Sequence, residues 1–180
     1  MNRILKSLLV FVLLAAAGFA EDYFAETEKK AEAGDASAQN YLGAVYDNGV
    51  GRPQDSAKAV KWYRLAADQG IANAQFNLGV MYNDGEGVPK DFAEAVKWFR
   101  LAAEQGRAKA QYNLGLMYAK GEGVPKDLVQ AHVGWNIAGA NGHENAKKNL
   151  GIIEKQMTDS QKEKAMDLAR ELFAKLPKGN

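Results

Sequence analysis

Three short stretches carry the residue types that could do chemistry: DNGVGRPQD (47–55), NDGEGVPKD (83–91) and AKGEGVPKD (119–127). Loops rich in glycine and acid can cradle a phosphate, hold a metal on carboxylates, or turn the chain sharply between helices. A phosphate loop follows a strand and needs lysine followed by serine or threonine. Here a helical pattern precedes the loop, and Lys90 is followed by Asp91. An acidic metal loop is not specified either, because Glu86 becomes Val50 in the first copy. Only four residues recur in every copy: Gly49, Gly51, Pro53 and Asp55; Gly85, Gly87, Pro89 and Asp91; Gly121, Gly123, Pro125 and Asp127. The glycines admit backbone angles closed to other residues, the proline blocks helix continuation, and the aspartate caps the helix that follows. These loops are expected to be structural turns.

The remaining inventory is thin. There are no cysteines, which removes disulfides, thiolate metal sites and cysteine nucleophiles. The only histidines, His132 and His143, lie in different helices and lack the spacing of a zinc motif with two histidines four apart. Each is expected to be a structural or surface side chain. None of Ser7, Ser37, Ser56 and Ser160 has a lysine three residues on, so the serine–lysine pattern of penicillin-recognising enzymes is absent. A serine triad would need one of the histidines beside a serine and an acid, which the sequence neither shows nor excludes. Trp62, Trp98 and Trp135 fall within apolar helical faces and are expected in the core. No catalytic residue, metal site or cofactor is assigned.

The chain has 180 residues and a formal net charge of +1, with nothing that points to nucleic acid. Its first residues read as a secretory signal: Arg3 and Lys6, an apolar run from Leu8 to Ala17, then Gly18-Phe19-Ala20. Cleavage is expected after Ala20, with Ala17 as the near alternative, giving an exported mature chain, periplasmic or alternatively secreted, without a membrane span. Removing residues 1–20 takes away two basic groups and no acids, leaving a net charge of −1.

The elements that position these residues are set by a 36-residue period. Ala38, Ala74, Ala110 and Ala146 keep this step, as do Gly43, Gly79, Gly115 and Gly151, and Tyr46, Tyr82 and Tyr118. Gly70, Gly106 and Gly142 close the units, which run about 35–70, 71–106 and 107–142 within a domain spanning 21–180. Each unit reads as two helices. Ala74, Leu78 and Tyr82 make the stripe of the first, with Gly79 beside it as the mark of close helix approach. Ala95, Trp98, Phe99 and Ala102 make the face of the second, opposite a polar stripe of Glu94, Lys97, Arg100 and Glu104. A pair this short cannot bury its apolar face alone, so pairs must stack into an all-α solenoid. The third unit replaces Lys97-Trp98-Phe99-Arg100 by Val133-Gly134-Trp135-Asn136, which suits a helix covered by a C-terminal cap over 143–176, with a partner-binding patch as the alternative. Thr158 to Gln161 fits a capping box opening a last helix, with Ala165, Leu168, Ala169 and Leu172 as its apolar side.

AQFNLGVMYNDGEGVPKDFAEAVKWFRLAAEQG resembles the Sel-1-like repeat, a relative of the tetratricopeptide repeat with a slightly longer unit. The resemblance covers about residues 22–176, and MTDSQKEKAMDLARELF resembles the segment that follows the last repeat in bacterial members. It implies right-handed superhelical stacking and a protein-binding adaptor, often exported, with no fixed catalytic set to carry over. Some cysteine-rich relatives are described as binding or hydrolysing β-lactams, which leaves a cell-wall or β-lactam hydrolase as the alternative class. A secreted host-contacting or signalling-regulator protein is a further alternative.

A partner is expected on the inner face of the solenoid, opposite Leu78 and its equivalents. Those positions read Asn40, Ala44 and Asp47, then Phe76, Val80 and Asn83, then Tyr112, Leu116 and Ala119. Phe76, Val80, Tyr112 and Leu116 either form an exposed apolar strip for a protein or peptide partner, or are buried between neighbouring first helices by the curvature. The chain is expected to be a monomer.

Overall fold

The computed structural model describes residues 22–177, and the expected signal segment lies outside them. Within them the chain is all-helical, with no strand. Helix α1 spans 22–32 and is followed by α2 (Ala36–Asn48), α3 (Ser56–Asp68), α4 (Ala72–Asp84), α5 (Phe92–Glu104), α6 (Ala108–Lys120) and α7 (Leu128–Ala140). Then come α8 (Glu144–Ile153), a 3-10 turn (Glu154–Gln156) and α9 (Asp159–Lys175). Helices α2, α4 and α6 are the first helices of the three units, and α3, α5 and α7 the second. Each packs on its neighbours in the chain, and α9 returns to lie against α7.

The recurring glycines of the first helices have a specific partner. A Cβ on Gly43 would lie 2.4 Å from the Tyr63 ring, on Gly79 2.7 Å from the Phe99 ring, and on Gly115 2.4 Å from the Trp135 indole. Glycine costs a helix interior about 1 kcal/mol relative to alanine. Here that loss is offset by burying an aromatic ring against the helix backbone; Tyr63 and Phe99 are each only 1% exposed. Burial, with the Asp47 carboxylate 3.3 Å from the hydroxyl, pushes the Tyr63 phenol up. This pairing also sets the register of the third unit. Trp135 occupies the slot of Tyr63 and Phe99, and Gly134 stands where Trp62 and Trp98 stand.

The turns perform three tasks. Gly49, Gly85 and Gly121 end the first helices in the left-handed region, at φ 66°, 77° and 76°. The aspartates then cap the second helices: Asp55 accepts from Lys58 N–H, Asp91 from Ala93 and Glu94, and Asp127 from Val129 and Gln130. The Lys58 N–H holds the Asp55 carboxyl below its usual range, so its contribution to stability is present at neutral pH and is lost as acid protonates it. Glu94 does not reach back to complete a capping box; its carboxylate instead accepts the Trp98 indole N–H at 3.0 Å. Asp91→Ala should cost about 1 kcal/mol, read as a lower thermal midpoint; an unchanged melting curve would refute the cap.

The third task is docking one unit on the next. The second turn glycines Gly87 and Gly123 have φ 68° and 70°, and a Cβ there would lie 2.2 Å from the Ser56 carbonyl and 2.3 Å from the Phe92 carbonyl. Each turn therefore sits directly on the start of the second helix of the preceding unit. Gly51, with no complete unit before it, has a like φ of 70° and, among the described residues, nothing within 4 Å.

A buried amide ladder runs along the stack. Gln39, Gln75 and Gln111 are each 4% exposed. Their side-chain N–H groups donate to the carbonyls of Ala31, Ala67 and Ala103 at the end of the preceding helix, at 2.9, 3.1 and 3.2 Å. Their oxygens accept from Gln69, Gln105 and Asn141 respectively, at 2.7, 2.8 and 3.2 Å. Every ladder amide thus both satisfies a helix-end carbonyl and ties its helix to the end of the second helix of its own unit. Gln75→Leu should cost about 2 kcal/mol, because it removes two hydrogen bonds of a buried side chain, to the Ala67 carbonyl and from the Gln105 amide, which keep the Gly70 N–H and the Gly70 carbonyl as partners; chemical denaturation gives the value directly.

The last unit is closed as its sequence requires. Val133 and Ile137 are buried in a cluster with Ala165 and Ala169 of α9, and the Thr158–Gln161 capping box opens that helix. Leu172 departs from expectation. It is 43% exposed, because it faces an open cavity beside α5 and α6, while Leu168 and Leu176 on either side pack on the third-unit cluster.

Candidate partner-binding face

The second helices present their charged sides to solvent: Lys61, Arg64, Lys97, Arg100 and Glu104 are exposed. The first helices are covered on two sides, and of α4 only Asn73 and Asp84 are fully exposed. The nine variable positions expected on the inner face are all half-buried. Phe76 and Val80 pack against the cluster that holds Phe99, Ala95 and Ala110, with the Phe76 and Phe99 rings 5.9 Å apart. Tyr112 and Leu116 pack against the cluster of the third unit, and the Tyr112 ring stacks on His143 at 4.2 Å. The four apolar side chains thus contribute to the seams between units while keeping part of their surface open. The Asn40 side-chain oxygen is buried without a hydrogen-bond partner among the described residues.

Two of these positions meet in one pocket. Asn83 of α4 and Leu116 of α6 line a cavity of about 210 Å³ with Phe92, Asn113 and Met117, edged by Lys90, Lys120 and Glu122. Its walls combine apolar side chains, two amides and charges of both signs. Asn40, Phe76, Val80 and Tyr112 lie outside it. Lys90, Lys120 and Glu122 belong to the turns read above only as structural; their place between successive first helices becomes visible once the units are stacked.

The histidines are placed by packing. His132 is fully buried in α7, its Nε2 3.0 Å from a Glu154 carboxylate oxygen. His143 stands at the start of α8, over Tyr112. Among the described residues no group of three His, Cys, Asp or Glu side chains is placed to hold a metal ion, and no helix is long and apolar enough to cross a membrane.

Comparison with known proteins agrees with this architecture. The Sel1 repeat family model matches residues 36–71, 72–106 and 108–133. The chain belongs to the Sel1 repeat family. Among solved structures, this Sel1 repeat chain is similar to a Sel1 repeat protein from Oxalobacter formigenes, with 44% identity, a TM-score of 0.64, and coverage of 70% of this chain and 95% of that one. It is also similar to a protective antigen present in uropathogenic Escherichia coli strains that displays an SLR fold, with 41% identity and a TM-score of 0.79. That match covers 86% of this chain, which spans 33% of the antigen. No curated protein matches this Sel1 repeat chain.

Proposed function

We propose that this chain is an exported, non-enzymatic scaffold that holds a protein or peptide partner along the inner face formed by α2, α4 and α6. The observation that carries the reading is the pocket shared by Asn83 and Leu116, where successive first helices present amide and apolar groups together between turn lysines. Internal comparison supports it. The framework residues repeat at every 36-residue step, while the inner positions change from Asn40 to Phe76 to Tyr112 and from Asp47 to Asn83 to Ala119. A surface that varies upon a fixed frame suits recognition of an irregular partner. Export rests on the basic, apolar and small-residue pattern of residues 1–20, with the periplasm as the first destination. Similarity to a protective antigen supports a place beyond the cytoplasm.

A photo-crosslinking residue at Asn83 should capture a partner in cells, whereas one at Leu101, exposed on α5, should not. Equal capture at both positions would sink the inner-face assignment. Position 83 suits the test better than Phe76 or Tyr112, whose rings also hold the fold together. Incubation of the purified protein with muropeptides and with a chromogenic β-lactam should give no turnover; turnover of either would overturn the non-enzymatic reading.

A further inference from the structure

The two preceding seams of the solenoid are each filled by an indole. Trp62 shares a buried cluster with Ala31, Ala38 and Leu42. Trp98 shares one with Ala67, Ala74 and Leu78, and its ring N–H donates to Glu94. At the third seam the equivalent residue is Gly134, and among the described residues no side chain replaces the ring. The consequences are local and visible. Leu42 and Leu78 are fully buried, yet their equivalent Leu114 is only half-buried. Ala67 is buried, yet its equivalent Ala103 is half-buried. Between them lies a cavity of about 420 Å³ lined by Ala103, Leu114, Val133, Gly134, Ile137 and Gln130, with Leu172 of α9 and Leu176 just beyond it at its edge. That volume falls in the range of small-molecule sites, roughly 300–1,000 Å³.

The frame of the first two seams says what fits. Gln130 stands where Glu94 accepts the Trp98 N–H, so an acceptor for a ring N–H lines the cavity. The cavity is not merely an unrepaired gap that the chain could close with its own tryptophan. A Cβ on Gly134 would lie 2.8 Å from the Gln111 carbonyl, so α7 lies too close to α6 for a side chain there.

We propose that this cavity binds the indole ring of a tryptophan side chain on a partner polypeptide, seated as Trp62 and Trp98 are seated within the chain. The source of the ring rests on the scaffold reading above; the cavity and its preference for indole do not. Methyl-resolved NMR of the protein with free indole, 1-methylindole, acetyl-Ala-Trp-Ala-amide and acetyl-Ala-Leu-Ala-amide tests it. Indole and the tryptophan peptide should shift the methyls of Leu114, Val133 and Ile137, and the leucine peptide should not. The methylated ring should bind about fivefold more weakly, the ordinary worth of one neutral hydrogen bond, and Gln130→Ala should erase that difference. Ala103→Phe, which fills the cavity from α5, should abolish binding. Absence of methyl shifts at millimolar indole, or shifts confined to other residues, would overturn the site on the wild-type protein alone. Binding of indole but not of the tryptophan peptide would overturn the polypeptide source. Neither failure touches the crosslinking result at Asn83, which stands or falls separately.

Discussion

Gly87→Ala should lower the thermal midpoint by roughly 10 °C. Two costs combine at this position. The left-handed backbone at φ 68° disfavours any Cβ, by about 1–2 kcal/mol. The new methyl would also meet the Ser56 carbonyl at 2.2 Å, a backbone atom that cannot rotate away, and overpacking of this kind costs about 1–3 kcal/mol. A total of about 3 kcal/mol corresponds to roughly 10 °C in a domain of this size. Gly51 provides the control inside the same molecule, since it has the same backbone angle and open space around it. Gly51→Ala should therefore show the strain alone, roughly 3 °C. The difference between the two variants measures the docking of one unit on the next. Equal shifts in differential scanning calorimetry would show that the turn glycines serve only their own turns.

This contrast marks what the residues disclosed before the fold was known. The period, the two helices of each unit, the aspartate caps and the close approach at Gly79 were legible because each follows from local chemistry repeated at a fixed step. The docking role of Gly87 was not, because its neighbour Ser56 lies in the preceding unit and no local pattern names it. The amide ladder was missed for a different reason. A glutamine inside a helix reads as a surface residue, and only the recurrence of Gln39, Gln75 and Gln111 beside the buried alanines signals that they are inside. The inner face was partly legible. A single helical wheel separates Phe76 and Tyr112 from Leu78, but it cannot show that neighbouring helices cover half of each ring. Leu172 sits in step with Ala165 and Ala169 on α9, yet it faces an open cavity that the wheel of one helix cannot show. The tryptophans show how a one-residue slip hides a change of role. Trp135 looks like the third member of the Trp62 and Trp98 series, but it fills the glycine-facing slot and leaves the seam position empty.

Trp98→Ala should reproduce at the second seam the cavity that Gly134 leaves at the third. Trp98 is 5% exposed and buried with Ala67, Ala74 and Leu78, so its loss should cost about 3–5 kcal/mol through lost burial and the void left behind. Glu94 would also lose the indole N–H that it now accepts, while keeping its contact with Lys97. The expected fall in midpoint is roughly 10 °C or more. Addition of indole should restore part of it, because a ligand that binds only the folded state stabilises it by mass action. The same addition should leave Lys97→Ala, a surface variant on the same helix, close to the parent protein, within about 0.5 kcal/mol. A Trp98→Ala protein that melts like Lys97→Ala would mean that the indole does not hold the seam, and the third seam would then need no ring to complete it. Loss of stability without rescue by indole would mean that neighbouring side chains close over the void. At the third seam Gly134 is held against the Gln111 carbonyl and α9 packs on Val133 and Ile137, so that void is bounded by backbone that cannot rotate into it.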